Sequence, residues 1–217
     1  MPPPPIRKPS QRLLDLLGQI EAERFRGAPL AQLGTIGTLT QETSRAPNTL
    51  GTFNRPRGLV SLSPEAFEKN RARETIRHEF RHAAFEQLNP EQLLDIPRVE
   101  VDGVELVNVN EGTFEEEFVS IIMDAQDVAN VAGKENNLRD VATMMNQNAA
   151  RRGRTGEPFT EEDARRFIND PKVLGLTMLL QKRAQQNVMR HRGQRVDAPI
   201  HFPSELTLKR MIKGKRR

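Results

Sequence analysis

Apolar residues recur at helical spacing along most of this 217-residue chain, and the exceptions mark its turns. Leu13, Leu16, Leu17 and Ile20 share one face behind Ser10, which predicts a capped helix running to about Phe25. From Gly27 to Pro56 the spacing dissolves into Gly, Thr, Asn and Pro, the composition of turns and short strands. Leu50–Phe53 and Gly58–Leu62 flank Asn54-Arg-Pro-Arg57 and read as a hairpin. Ser63, Pro64 and Glu65 then supply a cap, a proline at the first helical position and an acid in the first turn. The helical pattern they start reaches about Leu88, with a kink expected near Asn70, and Asn89-Pro90 closes it. Val99, Val101, Val104 and Val107, interrupted by Asp102-Gly103, predict a short ribbon. Thr113 can cap a helix to about Val131 through Phe114, Phe118, Ile121, Ile122, Ala125 and Val128. Further helices are expected near 136–150, 160–169 and 171–190, with a loop over 151–156. The sum is a mostly helical α+β domain with a small ribbon or sheet ahead of its central helix.

Composition narrows the partners. Hydrophobic residues make up 36% and charged residues 29%, polar for a globular chain but too rich in Phe, Ile, Leu and Val for wholesale disorder. No run approaches the ~18 apolar residues of a membrane span, and the Pro-rich start has no apolar signal core. The expected location is therefore cytoplasmic, or virion-associated through another route. The sequence pI of 9.7 invites a nucleic-acid reading. It owes much to the absence of Tyr and Cys, which leaves almost nothing to titrate between His and Lys. Lys209, Arg210, Lys213, Lys215, Arg216 and Arg217 place six charges in the last ten residues, and Arg7 and Lys8 add two at the start. Removing those eight from the total of +4 leaves residues 11–207 at −4. Three segments result: an extended Pro-rich arm over 1–9, a domain over 10–200, and a basic tail over 201–217 suited to an acidic or phosphate-bearing partner.

Without Cys there are no disulfides, zinc ribbons or thiol nucleophiles, so any metal must be held by His and carboxylate. The segment that meets this condition is His78-Glu79-Phe80-Arg81-His82. On a helix, residues four apart stack on one face, so the two imidazoles can share one Zn²⁺. Glu79, about a quarter-turn away, suits a general base acting on water beside the metal. Ile76, Phe80, Ala83 and Ala84 cluster on the opposite side, as a helix that packs by its back requires. Two solvent-facing histidines on an amphipathic helix are the bland alternative.

A hydrolytic zinc site needs a third protein ligand and an open position. A metzincin would carry Gly at 85 and His at 88, where this chain has Phe85 and Leu88. The other common solution is a Glu on a neighbouring helix, and the helix from Thr113 carries Glu115, Glu116 and Glu117. Against the apolar stripe of that helix Glu116 lies nearly opposite, while Glu115 and Glu117 border it. Small Ser120, three residues beyond Glu117, leaves room for a second helix. Glu117 is therefore favoured, then Glu116, then Glu115. The acids not used would simply favour the helix N-terminus.

These motifs resemble those of gluzincin-like zinc metallopeptidases, and more narrowly the compact zincin-like proteins of bacterial effectors, toxins and phage products. The resemblance covers about residues 48–140 and rests on Gly58–Leu62, His78–His82, Glu116-Glu117-Phe118 and Asn137-Leu-Arg-Asp140. It implies a zincin-like fold and peptide-bond hydrolysis, with His78, His82 and Glu117 on zinc and Glu79 as general base. The substrate would be a protein or peptide, extended along the ribbon edge near 58–62. Related peptidases often stabilise the oxyanion with Tyr or His, yet this chain has no Tyr and only His191 and His201 to spare. His201 could return to the site, or Arg81 or zinc alone could act instead. The rival expectation is a structural or interaction protein, such as a phage virion component used as an assembly subunit, that keeps the fold with little activity. A third, a nucleic-acid module, would show binding lost with salt and with the tail.

Overall fold

The chain is described by a computed structural model over residues 8–22, 29–43, 49–88, 98–101, 104–107, 113–128 and 137–193. The Pro-rich arm up to residue 7, Asn89-Pro90, His201 and the basic tail lie outside the described residues. Two units divide the chain: Met1–Leu88 with Ala184–Val196, and Asn89–Arg183 with Asp197–Arg217.

In the first unit, α1 (Gln11–Ala22) begins where Ser10 Oγ accepts the Leu13 N–H at 3.3 Å. The elements α2 (Pro29–Thr35), β1 (Leu39–Glu42) and β2 (Gly51–Asn54) follow. A 3-10 turn over Arg55–Arg57 leads from β2 into β3 (Leu59–Leu62), so the expected hairpin is present. The sheet order is β1-β3-β2, with β3 parallel to β1 and antiparallel to β2. All four residues of β3 are buried. The central position of β3 corrects the expectation that a substrate would pair along 58–62, because both edges of that strand are occupied. Among the described residues no further strand pairs with the outer edges of β1 and β2. The cause is β1, a four-residue strand whose Leu39-Thr-Gln-Glu carries no alternation to announce it.

Ser63 caps α3 (Pro64–Glu68), its Oγ accepting the Glu65 N–H at 3.2 Å, with Pro64 at the helix start. The expected kink is a full break. Asn70 adopts φ 53°, a left-handed value that Asn tolerates better than most residues. Helix α4 (Ala72–Gln87) starts two residues later. The core beneath it joins Leu13, Leu16 and Ile20 of α1, Val60 and Leu62 of β3, and Ile76 and Phe80 of α4. Gly34 of α2 sits against the back of α4: a Cβ there would lie 1.9 Å from the Phe80 carbonyl oxygen. Only glycine permits that approach.

In the second unit, β4 (Val99–Val101) and β5 (Val104–Val107) form the expected antiparallel ribbon. Helices α5 (Thr113–Val128), α6 (Leu138–Arg151) and α7 (Glu161–Ile168) follow, then α8 (Pro171–His191), whose last residues belong to the first unit. Thr160 and Asp163 close a reciprocal capping box at the start of α7. Phe118 of α5 stacks on Phe167 of α7 with ring centroids 5.8 Å apart, amid buried Ile122, Val141 and Met145. The fold is α+β and mostly helical. No helix among the described residues is long and apolar enough to cross a membrane.

Candidate metal centre

Helix α4 carries His78, Glu79 and His82, and it is buried on more sides than its wheel suggests. Phe85, placed by the wheel beside the histidines, is 4% exposed, and Arg81 between them is fully buried. The histidines are themselves half-buried, so they do not form the solvent-facing pair of the bland alternative. Their rings meet at 77° with centroids 4.9 Å apart, and their Nε2 atoms are 3.2 Å apart.

That separation is informative. Two nitrogens bound at ~2.05 Å to one tetrahedral ion must lie about 3.3 Å from each other. The pair thus has the bite of a zinc chelate, although the same distance also suits one N–H···N hydrogen bond. Among the described residues, the side chains that could together hold a metal ion are His78 and His82 of the first unit and Glu117 of the second. Two imidazoles and one carboxylate fit zinc by donor type.

The three glutamates at the start of α5 are not equivalent. Glu115 is buried, accepting Asn148 Nδ2 at 3.0 Å and pairing with Arg152 Nη2 at 3.6 Å. Glu116 is half-buried in the first turn, where the helix dipole favours an acid. Glu117 is half-buried and belongs to the group above.

Glu79 is 8% exposed and lies against the edge strand β2. A Cβ on Gly51 would come within 2.9 Å of Glu79 Cγ and 3.0 Å of its Oε1. Gly51 is a close neighbour of Glu79 that sequence reasoning missed, because a glycine in a short strand announces only turn propensity. The fully buried Arg81 is closed to a group arriving from solvent, which counts against its expected service to an oxyanion. His191 is exposed at the end of α8.

No family of known sequences, no curated protein and no solved structure matches this chain.

Proposed function

We propose that this chain is a zinc-dependent metallopeptidase of zincin-like type. The observation that carries the reading is the histidine pair of α4, its Nε2 atoms 3.2 Å apart with Glu79 between the two in sequence; Glu117 would be the third ligand. When bound, zinc would supply Lewis acidity and bring the pKa of a coordinated water down to about 7.

The chain's own residues would do the rest. His78 and His82 would bind as neutral imidazoles through Nε2, and Glu117 would offset part of the ion's charge. Glu79 would take a proton from the attacking water on a carboxylate oxygen and return it to the leaving nitrogen. Its burial against Gly51 keeps that carboxylate from wandering. An extended peptide would add to the outer edge of β2, the strand Glu79 already touches, so the scissile carbonyl is delivered next to the base.

Metal analysis of the purified protein is the first test. About one equivalent of zinc is expected, lost in His78→Ala and in Glu117→Ala, and a zinc-free wild type would refute the proposal. Glu79→Gln should keep the zinc and abolish peptide cleavage. The absence of Tyr favours one rival reading, a structural or virion-associated protein on the same scaffold. Zinc at one equivalent with no cleavage of any unfolded protein substrate would decide for it.

A further inference from the structure

Within the second unit, three polar side chains close into a ring at the foot of α5, and a fourth, Glu105, is tied to that ring through Arg152. Arg152, just past α6, reaches Glu105 Oε1 of β5 at 2.7 Å and Glu115 Oε1 of α5 at 3.6 Å. Its Nε donates to Asn148 Oδ1 at 3.3 Å, and Asn148 Nδ2 donates to the same Glu115 oxygen at 3.0 Å. Arg98 caps the far side of Glu105 at 3.1 Å. The Glu115 side chain is 1% exposed and that of Arg152 23%. A carboxylate this buried is tolerated only because charge and hydrogen bonds meet it there.

Glu115 and Glu117 are two residues apart, so on a helix they point to nearly opposite sides. Fixing the first therefore fixes the direction of the second. We infer that the Arg152–Asn148–Glu115 ring, anchored to β5 through Glu105, is a positioning device: it sets the rotation of α5 about its own axis and so aims Glu117. The inference rests on the metal-centre reading above. A carboxylate lies about 6 Å from its helix axis, so a 20° rotation of α5 would displace it by about 2 Å. Ligand distances in a metal site tolerate about 0.2 Å. Apolar packing of Phe118 and Ile122 resists such a rotation softly, whereas a forked Arg held by two carboxylates resists it by geometry.

The test uses the full chain and zinc alone, titrated in competition with a chromophoric chelator. Arg152→Gln should weaken zinc binding 10–100-fold, the range typical when a ligand loses its outer support. Arg152→Lys, which keeps the charge but not the fork, should fall between that variant and wild type. Hydrogen exchange on metal-free protein gives an independent readout: amides of residues 117–120, which have acceptors within the helix, should lose protection in Arg152→Gln while α7 and α8 keep theirs. Zinc affinity within threefold of wild type in a folded Arg152→Gln protein, or unchanged protection of that turn, would overturn the inference. Should that variant not fold, Glu105→Gln removes one arm of the fork and is read in the same way. A wild type that binds no zinc would instead bring down the metal centre itself, a result visible before any variant is made.

Discussion

Gly51→Ala is the most discriminating single change in the first unit. The added methyl would lie 2.6 Å from Thr75 Cγ2, 2.9 Å from Glu79 Cγ and 3.0 Å from Glu79 Oε1, where ordinary contact begins at 3.4 Å. All three atoms belong to side chains rather than backbone, so the fold should survive with about 1–2 kcal/mol lost to overpacking. The Glu79 carboxylate must retreat by roughly half an ångström. Misplacing a reacting group by about 1 Å can cost 10²-fold, so a loss of about tenfold in kcat/KM is expected. The assay is cleavage of whichever fluorogenic peptide the wild type cuts best, run beside zinc content and thermal unfolding. Zinc should stay at the wild-type level, because neither histidine is touched. Adding Thr75→Ser removes the tightest clash, so the double variant should regain stability without regaining turnover. A folded, zinc-loaded Gly51→Ala enzyme with wild-type turnover would refute the placement of Glu79 as a strand-held base.

Gly34→Ala should be far more damaging, because its methyl would meet the Phe80 backbone oxygen at 1.9 Å; a loss of about 3 kcal/mol or failure to fold is expected in urea unfolding, and wild-type stability would contradict the close approach. Zinc at a hundredfold over its dissociation constant should raise the unfolding free energy by about 2.7 kcal/mol, read by differential scanning fluorimetry, with no such shift in His78→Ala. The Arg12 hydrogen bond, aided by Ser10, holds the Glu42 carboxyl below the usual carboxylate range against an opposing effect of burial. Its folded pKa therefore lies below the unfolded one, so its stabilisation is present above the usual carboxylate range and disappears as pH falls through the folded value. The stability gap between wild type and Glu42→Gln should accordingly shrink on acidification, and a gap constant from pH 7 to pH 3 would disprove the pairing. Ser63→Ala removes the acceptor for the Glu65 N–H, and about 1 kcal/mol of stability should go with it in the same unfolding assay.

What the sequence made legible follows from which forces are local. Ser10 and Ser63 announce helix starts because a cap bonds within three residues, and α5 shows its apolar stripe directly. The hairpin of β2 and β3 was readable from its turn. Strand β1 was not, since parallel pairing of Leu39–Glu42 with Leu59–Leu62 is a contact across twenty residues that leaves no alternation in so short a strand. The histidines and Glu79 were legible as a spacing on one helix. The choice among Glu115, Glu116 and Glu117 was only half legible: a wheel sees the stripe, not Asn148 and Arg152, which come from α6 and its end to engage Glu115. Gly34 and Gly51 carry no pattern at all, because a missing side chain matters only once another element lies against it.

The contact of Gly34 with the carbonyl of Phe80 decides more than a packing distance. Phe80 stands on the side of α4 opposite His78 and His82, so this backbone contact helps set the side of the helix that carries the two rings. In a zinc finger the metal makes the fold, and a chelator unmakes it. On the metallopeptidase reading the order would be reversed: α4 is held from behind by α2 and the core, and zinc would bind a helix already in place. A chelator should therefore empty the protein and leave it standing. The same body could change its metal, or live without one, by altering a few side chains at the front of a helix whose back stays as it is.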